Sequence, residues 1–193
     1  MPCNHRFEDQ LIPDWELEYL FIGTFNPSWD YNNAEQADYF YGRNRNFFWR
    51  ILPFVFGGDD LKNSSIEEKT EYLLNKKIGI TDLILCIKNA DENSETDRNN
   101  LTKGFSDNIL NTYQLDFNSE KIKTLINKNQ KTLKGVFLTR STLNNNISQI
   151  RDSWNIIENH CSVINIQTNK ILTPARIFSE KKVDDWKGKI DNI

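Results

Sequence analysis

The segment Glu18-Tyr19-Leu20-Phe21-Ile22-Gly23-Thr24-Phe25-Asn26-Pro27 sets the fold. Its first six residues form an apolar run that ends at a glycine, a pattern that predicts a short buried strand. The chain then changes character. From Thr24 to Arg45 it is polar and aromatic with no clean period, which predicts a long loop. Loops of that length inside compact domains are usually functional or disordered, and Tyr31, Tyr39, Phe40 and Tyr41 argue for order. A glycine at a strand end lets backbone approach a ligand closely. Phe25 offers a flat apolar face, and Asn26 a donor and an acceptor. The plain alternative is a strand-to-loop turn, because Asn-Pro is itself a turn signal.

Outward from that stretch, helices and strands alternate. Asn46 to Val55 is strongly apolar and predicts a helix ending near Gly57-Gly58. Ser64-Ser65 followed by Glu67 and Glu68 starts a second helix, to about Lys76. Ile78 to Cys86 reads as a second buried strand, interrupted by Asp82. Residues 88–100 are rich in Asn and Asp and read as a loop. Asn118-Ser119 caps a helix through about Asn129. Gly135 to Thr139 is a third strand, Ser141 to about Ile150 a helix, and Ser162 to Gln167 a fourth strand. Leu172 to Ala175 is a turn, and Ser179 to Ile190 a final amphipathic helix. Strands separated by helices imply a parallel sheet covered on both faces.

Bulk properties narrow the function classes. The 193 residues suit a single domain over residues 1–193. Formal net charge is −3, with 24 Lys plus Arg against 27 Asp plus Glu. That balance gives no bulk attraction to nucleic acid, so any such contact must come from a local patch. Cys3, Cys86 and Cys161 are too far apart for a CxxC pair and too few for an iron–sulfur site. An odd cysteine count, a polar N-terminus without a signal-peptide core and the lack of a long apolar span point to a cytoplasmic protein. Neither His5 nor His160 has a second ligand at a metal-site spacing, so no metal is expected. No GxGxxG follows the first strand and no phosphate-loop motif is present, so no cofactor is expected.

In an open parallel sheet, ligands bind beyond the carboxyl ends of the strands. Three polar segments are expected there: Thr24–Arg45, Lys88–Asn100 and Thr168–Arg176. The first contains a second cluster, Tyr39-Phe40-Tyr41-Gly42-Arg43-Asn44-Arg45-Asn46-Phe47-Phe48-Trp49. Aromatic rings stack on bases, arginines bind phosphate and asparagine amides read base edges. Phe48 and Trp49 read better as core. Tyr41 divides evenly between base contact and core, and Asn46 between base contact and helix cap.

Gly23 to Pro27, then Tyr41-Gly42, then Asn46-Phe47-Phe48-Trp49 resembles the opening of the uracil-DNA glycosylase superfamily, nearest its mismatch-specific and hypoxanthine-DNA glycosylase branches. Gly79 to Ile84, Cys86 to Asp97, Gly135 to Leu138, Leu172 to Arg176 and the Lys181–Trp186 helix are similar to later blocks, in order. Two departures stand out. The histidine that opens the second motif in many members is replaced by Ile171 or Leu172. Gly-Thr-Phe-Asn-Pro is also one residue longer than the Gly-x-Asn-Pro form.

The resemblance implies a three-layer α/β/α sandwich with a central four-stranded parallel sheet. It also implies a monofunctional glycosylase, monomeric, acting on DNA that carries a deaminated or modified base. Asn26 would position the attacking water, or Asn46 or Asn44 as in the hypoxanthine-type branch. Gly23, Thr24, Phe25, Pro27, Tyr41, Asp82, Lys88 and Asn89 would surround the flipped base. Ser28, Arg43, Arg45, Thr173, Pro174, Ala175 and Arg176 would contact the DNA. The competing expectation is a glycosylase-like fold that grips nucleic acid without catalysis, favoured by the missing histidine and the acidic balance. A weaker third is a small-molecule enzyme on the same scaffold.

Overall fold

The computed structural model describes residues 1–29, 37–103 and 105–193. Tyr31, one of the aromatics expected to order the first loop, lies outside them. The strands are β1 (Cys3–Asn4), β2 (Tyr19–Gly23), β3 (Ile78–Asp82), β4 (Ile84–Ile87), β5 (Leu115–Phe117), β6 (Gly135–Leu138) and β7 (Gln167–Lys170). The α-helices are α1 (Phe48–Phe56), α2 (Ile66–Asn75), α3 (Glu95–Arg98), α4 (Ser119–Lys128), α5 (Ser148–Val163) and α6 (Glu180–Ile190). A four-stranded sheet in the order β3-β2-β6-β7 is parallel throughout.

Side-chain alternation along the strands creates the three layers. Leu20 and Ile22 of β2 and Val136 and Leu138 of β6 face one way. They pack with Ile122, Leu125 and Ile126 of α4 and with Ile150, Trp154 and Ile157 of α5. Phe21, Phe137 and, on β3, Ile78 and Ile80 face the other way, against Phe48 and Leu52 of α1, Leu73 of α2 and Trp186 of α6. Phe21 stacks between Phe137 at 5.2 Å and Trp186 at 5.5 Å. β2, β3 and β6 are buried on both sides, as strands of a parallel sheet between helices are. The three-layer α/β/α expectation therefore holds. So does the capping box that starts α2, in which the Glu68 N–H donates to Ser65 Oγ and the Ser65 N–H to Glu68 Oε2.

Four local expectations need correction. Ile78 to Cys86 is two strands in two sheets. After Asp82 the chain leaves the parallel sheet, and β4 pairs antiparallel with β1 and β5. No turn residue marks that break, because Leu83 and Ile84 are both core. Residues 88–100 include the short helix α3, started by Ser94 Oγ accepting from the Asp97 N–H. The helix expected from Ser141 begins only at Ser148 and runs through Val163, taking in the first two residues of the expected fourth strand. It ends where Asn165 takes φ +57°, a left-handed conformation that asparagine tolerates. The actual fourth strand, β7, reads Gln-Thr-Asn-Lys. It is an edge strand pairing only with β6, so it needs no apolar alternation to form.

The N-terminal residues tie the small sheet to the first loop. The His5 N–H donates to Leu85 O, the Arg6 N–H to Asn26 O and the Ser28 N–H to Asn4 O. Residues 4–6 thus hold residues 26–28 in an extended pairing beside the carboxyl end of β2.

Candidate active site

β2 connects onward to β3 on one side and lies beside β6 on the other. The strand order therefore reverses direction at β2, and a crevice opens beyond its carboxyl end. A cavity of about 460 Å³ occupies that crevice. Its walls come from the carboxyl ends of three parallel strands and the residues just after them: Gly23 to Asn26, Asp82, and Thr139 to Thr142. Phe105 to Asp107 and Thr173 to Arg176 complete it, with Tyr41, Arg43 and Asn46 from the aromatic cluster.

Two loops distant in sequence are stitched together at the mouth. The Phe47 N–H donates to Pro174 O at 2.9 Å and the Arg176 N–H to Arg45 O at 2.7 Å, flanking a bridge between Asn46 and Ala175. Arg176 takes φ +77°, a strained value for a side-chain-bearing residue. This pairing carries Arg176 to the cavity rim beside Arg43.

On the β3 side a buried polar cluster is built around Asp82. Its Oδ2 accepts from His5 Nε2 at 2.8 Å and from Asn26 Nδ2 at 2.7 Å. The other nitrogen of His5, Nδ1, accepts the Phe7 N–H, so the ring hydrogen sits on Nε2 and points at Asp82. His5 is fully buried among Phe7, Phe25 and Phe40. A carboxylate only accepts, so the Asn26 atom facing it is the amide nitrogen and the amide oxygen is turned elsewhere. Asn46 is oriented the other way. Its Oδ1 accepts the Phe48 N–H at the start of α1, leaving its NH₂ as the group on offer. Asn26 therefore presents an acceptor and Asn46 a donor.

A second carboxylate, Asp107, lies across the cavity. Thr24 Oγ1 donates to its Oδ1 at 2.8 Å, and Arg140 binds its Oδ2. Burial pushes the Asp107 carboxyl above its ordinary value, and the charge of Asp82 acts in the same direction, against the pull of Arg140 and Thr24. Thr139 Oγ1 donates to Ile22 O and takes the hydrogen of the Tyr41 hydroxyl at 3.0 Å. Burial, with Asp82 and Asp107 adding to it, holds the Tyr41 phenol well above its ordinary value and so neutral. One face of the Tyr41 ring is covered by Phe48 at 4.1 Å, so at most its other face is left for a ligand.

Of the residues picked out from sequence, twelve face this one cavity: Gly23, Thr24, Phe25, Asn26, Tyr41, Arg43, Asn46, Asp82, Thr173, Pro174, Ala175 and Arg176. Six do not. Pro27 and Ser28 pair with the N-terminal segment. Asn44 and Arg45 are exposed, each engaged through its backbone carbonyl, with Lys62 Nζ and the Arg176 N–H respectively. Lys88 and Asn89 correct the expectation that they line the site. β4 carries them away, to where Lys88 pairs with Asp116 and Asn89 Oδ1 accepts the Gln114 N–H. Four functional candidates escaped the sequence reading. Thr139 and Arg140 directly follow a parallel strand, so the strand-end rule itself would have found them. His5 and Asp107 reach the site only through tertiary packing, and nothing in their local sequence marks them. Among the described residues no group of three or more His, Cys, Asp or Glu is placed to hold a metal, and no helix is long and apolar enough to cross a membrane.

The fold is a three-layer α/β/α sandwich with its cavity at the carboxyl ends of the parallel strands. The chain is similar to a solution NMR structure from Methanosarcina acetivorans that carries the provisional name uracil DNA glycosylase. The two align with a TM-score of 0.53 over 93% of this chain and 92% of that one, at 17% identity. No protein-family model matches the chain, and no curated protein matches it at a significant level.

Proposed function

We propose that the chain is a monofunctional DNA glycosylase that hydrolyses the N-glycosidic bond of a flipped base that is damaged, deaminated or modified. The observation that carries this reading is the Asn26–Asp82–His5 cluster at the strand-end cavity. An amide locked by a buried carboxylate presents its oxygen as a fixed acceptor, which is what holding an attacking water requires. Asn26 fills that role better than Asn46, whose oxygen is already used to cap α1. Asn46 instead offers a donor to a base carbonyl or a phosphate.

The chemistry fits the groups present. Breaking this bond develops positive charge on the sugar and negative charge on the departing base. The Asn26 amide oxygen, held in place by Asp82, places a negative dipole near the first, and the backbone N–H groups of Thr24 and Phe25 supply dipoles for the second. Phe25 gives the base an apolar face. Arg43 and Arg176 at the rim supply the local positive patch that the net charge of −3 does not. Flipping costs a few kcal/mol and is cheapest for a mispaired or damaged base, so part of the selectivity arises before the pocket is reached.

One observation favours a second reading, a binding protein without catalysis. Ile171 is core and Leu172 carries no ionisable group, so the Thr173–Arg176 loop brings no imidazole to the leaving base. Incubation with oligonucleotides carrying uracil, hypoxanthine, xanthine or hydroxymethylcytosine derivatives, followed by alkali, separates the two. The glycosylase reading expects strand scission that Asn26→Ala abolishes and Asn46→Ala only weakens. Binding without scission on every substrate establishes the second reading instead.

A further inference from the structure

Asp82 is 2% exposed, and its Oδ2 is saturated by His5 and Asn26. Its other oxygen, Oδ1, accepts no hydrogen bond from any described residue. It lies on the cavity wall directly over Gly23, 2.1 Å from where a Cβ on that residue would stand. It is open to the cavity and is not one of the fully enclosed unpaired atoms, so the cost arises when a ligand fills the cavity: a charged oxygen covered without a donor is costly. The cavity is a direction from which a donor can arrive. We propose that Asp82 Oδ1 receives an N–H from the bound base, and that the preferred base carries an exocyclic amine on the edge it turns to β3. This deepens the glycosylase reading and rests on it for the nature of the ligand.

The preference for an amine over an imide follows from the number of free acceptors. With Oδ2 occupied, Asp82 meets the base through a single negative oxygen that can only accept. The imide N–H of uracil is flanked by a carbonyl oxygen on each side, and both would be driven against that charge. An exocyclic amine directs its hydrogen outward with no carbonyl on the adjoining ring atoms. The surroundings reinforce the choice. The Tyr41 hydroxyl, 2.7 Å from the same point above Gly23, already gives its hydrogen to Thr139, so it offers no donor to a carbonyl there. Unmodified cytosine and adenine also carry amines. They are kept out by the cost of flipping from a sound base pair, not by the pocket.

Asp82→Asn is a near-isosteric probe. Its amide oxygen can still accept from His5 and Asn26, while the group over Gly23 changes from acceptor to donor. Single-stranded oligonucleotides with one 2′-fluoroarabino-cytidine or one 2′-fluoroarabino-uridine resist hydrolysis and report binding alone. The native protein is expected to bind the cytidine oligonucleotide about tenfold or more tighter than the uridine one, and Asp82→Asn to erase or reverse that ratio. Equal or tighter binding of the uridine oligonucleotide by the native protein overturns the proposal, whether or not the variant folds. So does an unchanged ratio in a folded Asp82→Asn variant. Cleavage of ordinary deoxyoligonucleotides is scored separately. Cleavage with uracil preferred rejects the amine inference and keeps the glycosylase reading. An amine preference in binding with no cleavage of any base does the reverse.

Discussion

Replacing Gly23 by alanine tests the construction of the site in one step. The φ of Gly23 is not positive, so the backbone itself accommodates an L-residue there. In open space, Gly→Ala gains about 0.4–1 kcal/mol by restricting the unfolded chain. Here the new Cβ would stand 2.1 Å from Asp82 Oδ1, 3.3 Å from its Cγ and 2.7 Å from the Tyr41 hydroxyl. Ordinary contact begins at 3.4 Å, so the carboxylate must retreat by about 1 Å. It is not a free side-chain end, because His5 and Asn26 hold its Oδ2 at 2.8 and 2.7 Å. The same displacement takes both contacts beyond hydrogen-bonding distance. Hydrogen bonds to a charged group contribute about 1.5–3 kcal/mol each, and overpacking costs about 1–3 kcal/mol. Allowing for partial relaxation, Gly23→Ala is expected to lose about 3–5 kcal/mol, which outweighs the entropic gain. Urea unfolding followed by tryptophan fluorescence measures it. Gly188→Ala is the control, since nothing lies within 4 Å of its Cβ position on α6 and it should gain up to about 1 kcal/mol. A Gly23→Ala protein as stable as the native one would refute the account of Asp82 as a pinned group.

Three further outcomes are expected. His5→Phe keeps the ring but removes the donor to Asp82 and should cost about 1–3 kcal/mol in urea unfolding, with His5→Ala costing more through the cavity it leaves. If His5→Phe is as stable as the native protein, the His5–Asp82 bond contributes nothing. Asp107 has a folded-state pKa raised above the unfolded value, so the folded state binds more protons across that window and stability from this group falls as pH rises through it. The stability of Asp107→Asn relative to the native protein should therefore improve from pH 4 to pH 7, and the opposite trend contradicts the assignment. Burial pushes Cys3 up to about 11 and Cys161 up to about 12, whereas Cys86 is only half-buried. At pH 8 a thiol reagent should label Cys86 in the native protein and the other two only on unfolding; rapid labelling of all three would show that this packing is wrong.

What the sequence determined by itself is the layered α/β plan and the location of the cavity. The reasons are local. Apolar runs such as 19–23 and 135–138 form strands because both faces are covered, and Ser65 with Glu68 starts a helix by satisfying its own first N–H groups. A ligand site beyond the strand ends then follows from parallel topology, which placed Gly23 to Asn26 and Thr173 to Arg176 at one cavity. Tertiary structure alone decided the rest. β7 is polar, so only its pairing with β6 makes it a strand. The apolar run at 78–87 divides between two sheets because partners far along the chain claim its halves. The rivalry between Asn26 and Asn46 turns on which amide oxygen is already bonded, and that depends on a histidine and an aspartate 77 residues apart. Their contact leaves no trace in spacing or periodicity, because it is made by the packing of the N-terminal segment against β4 and the first loop.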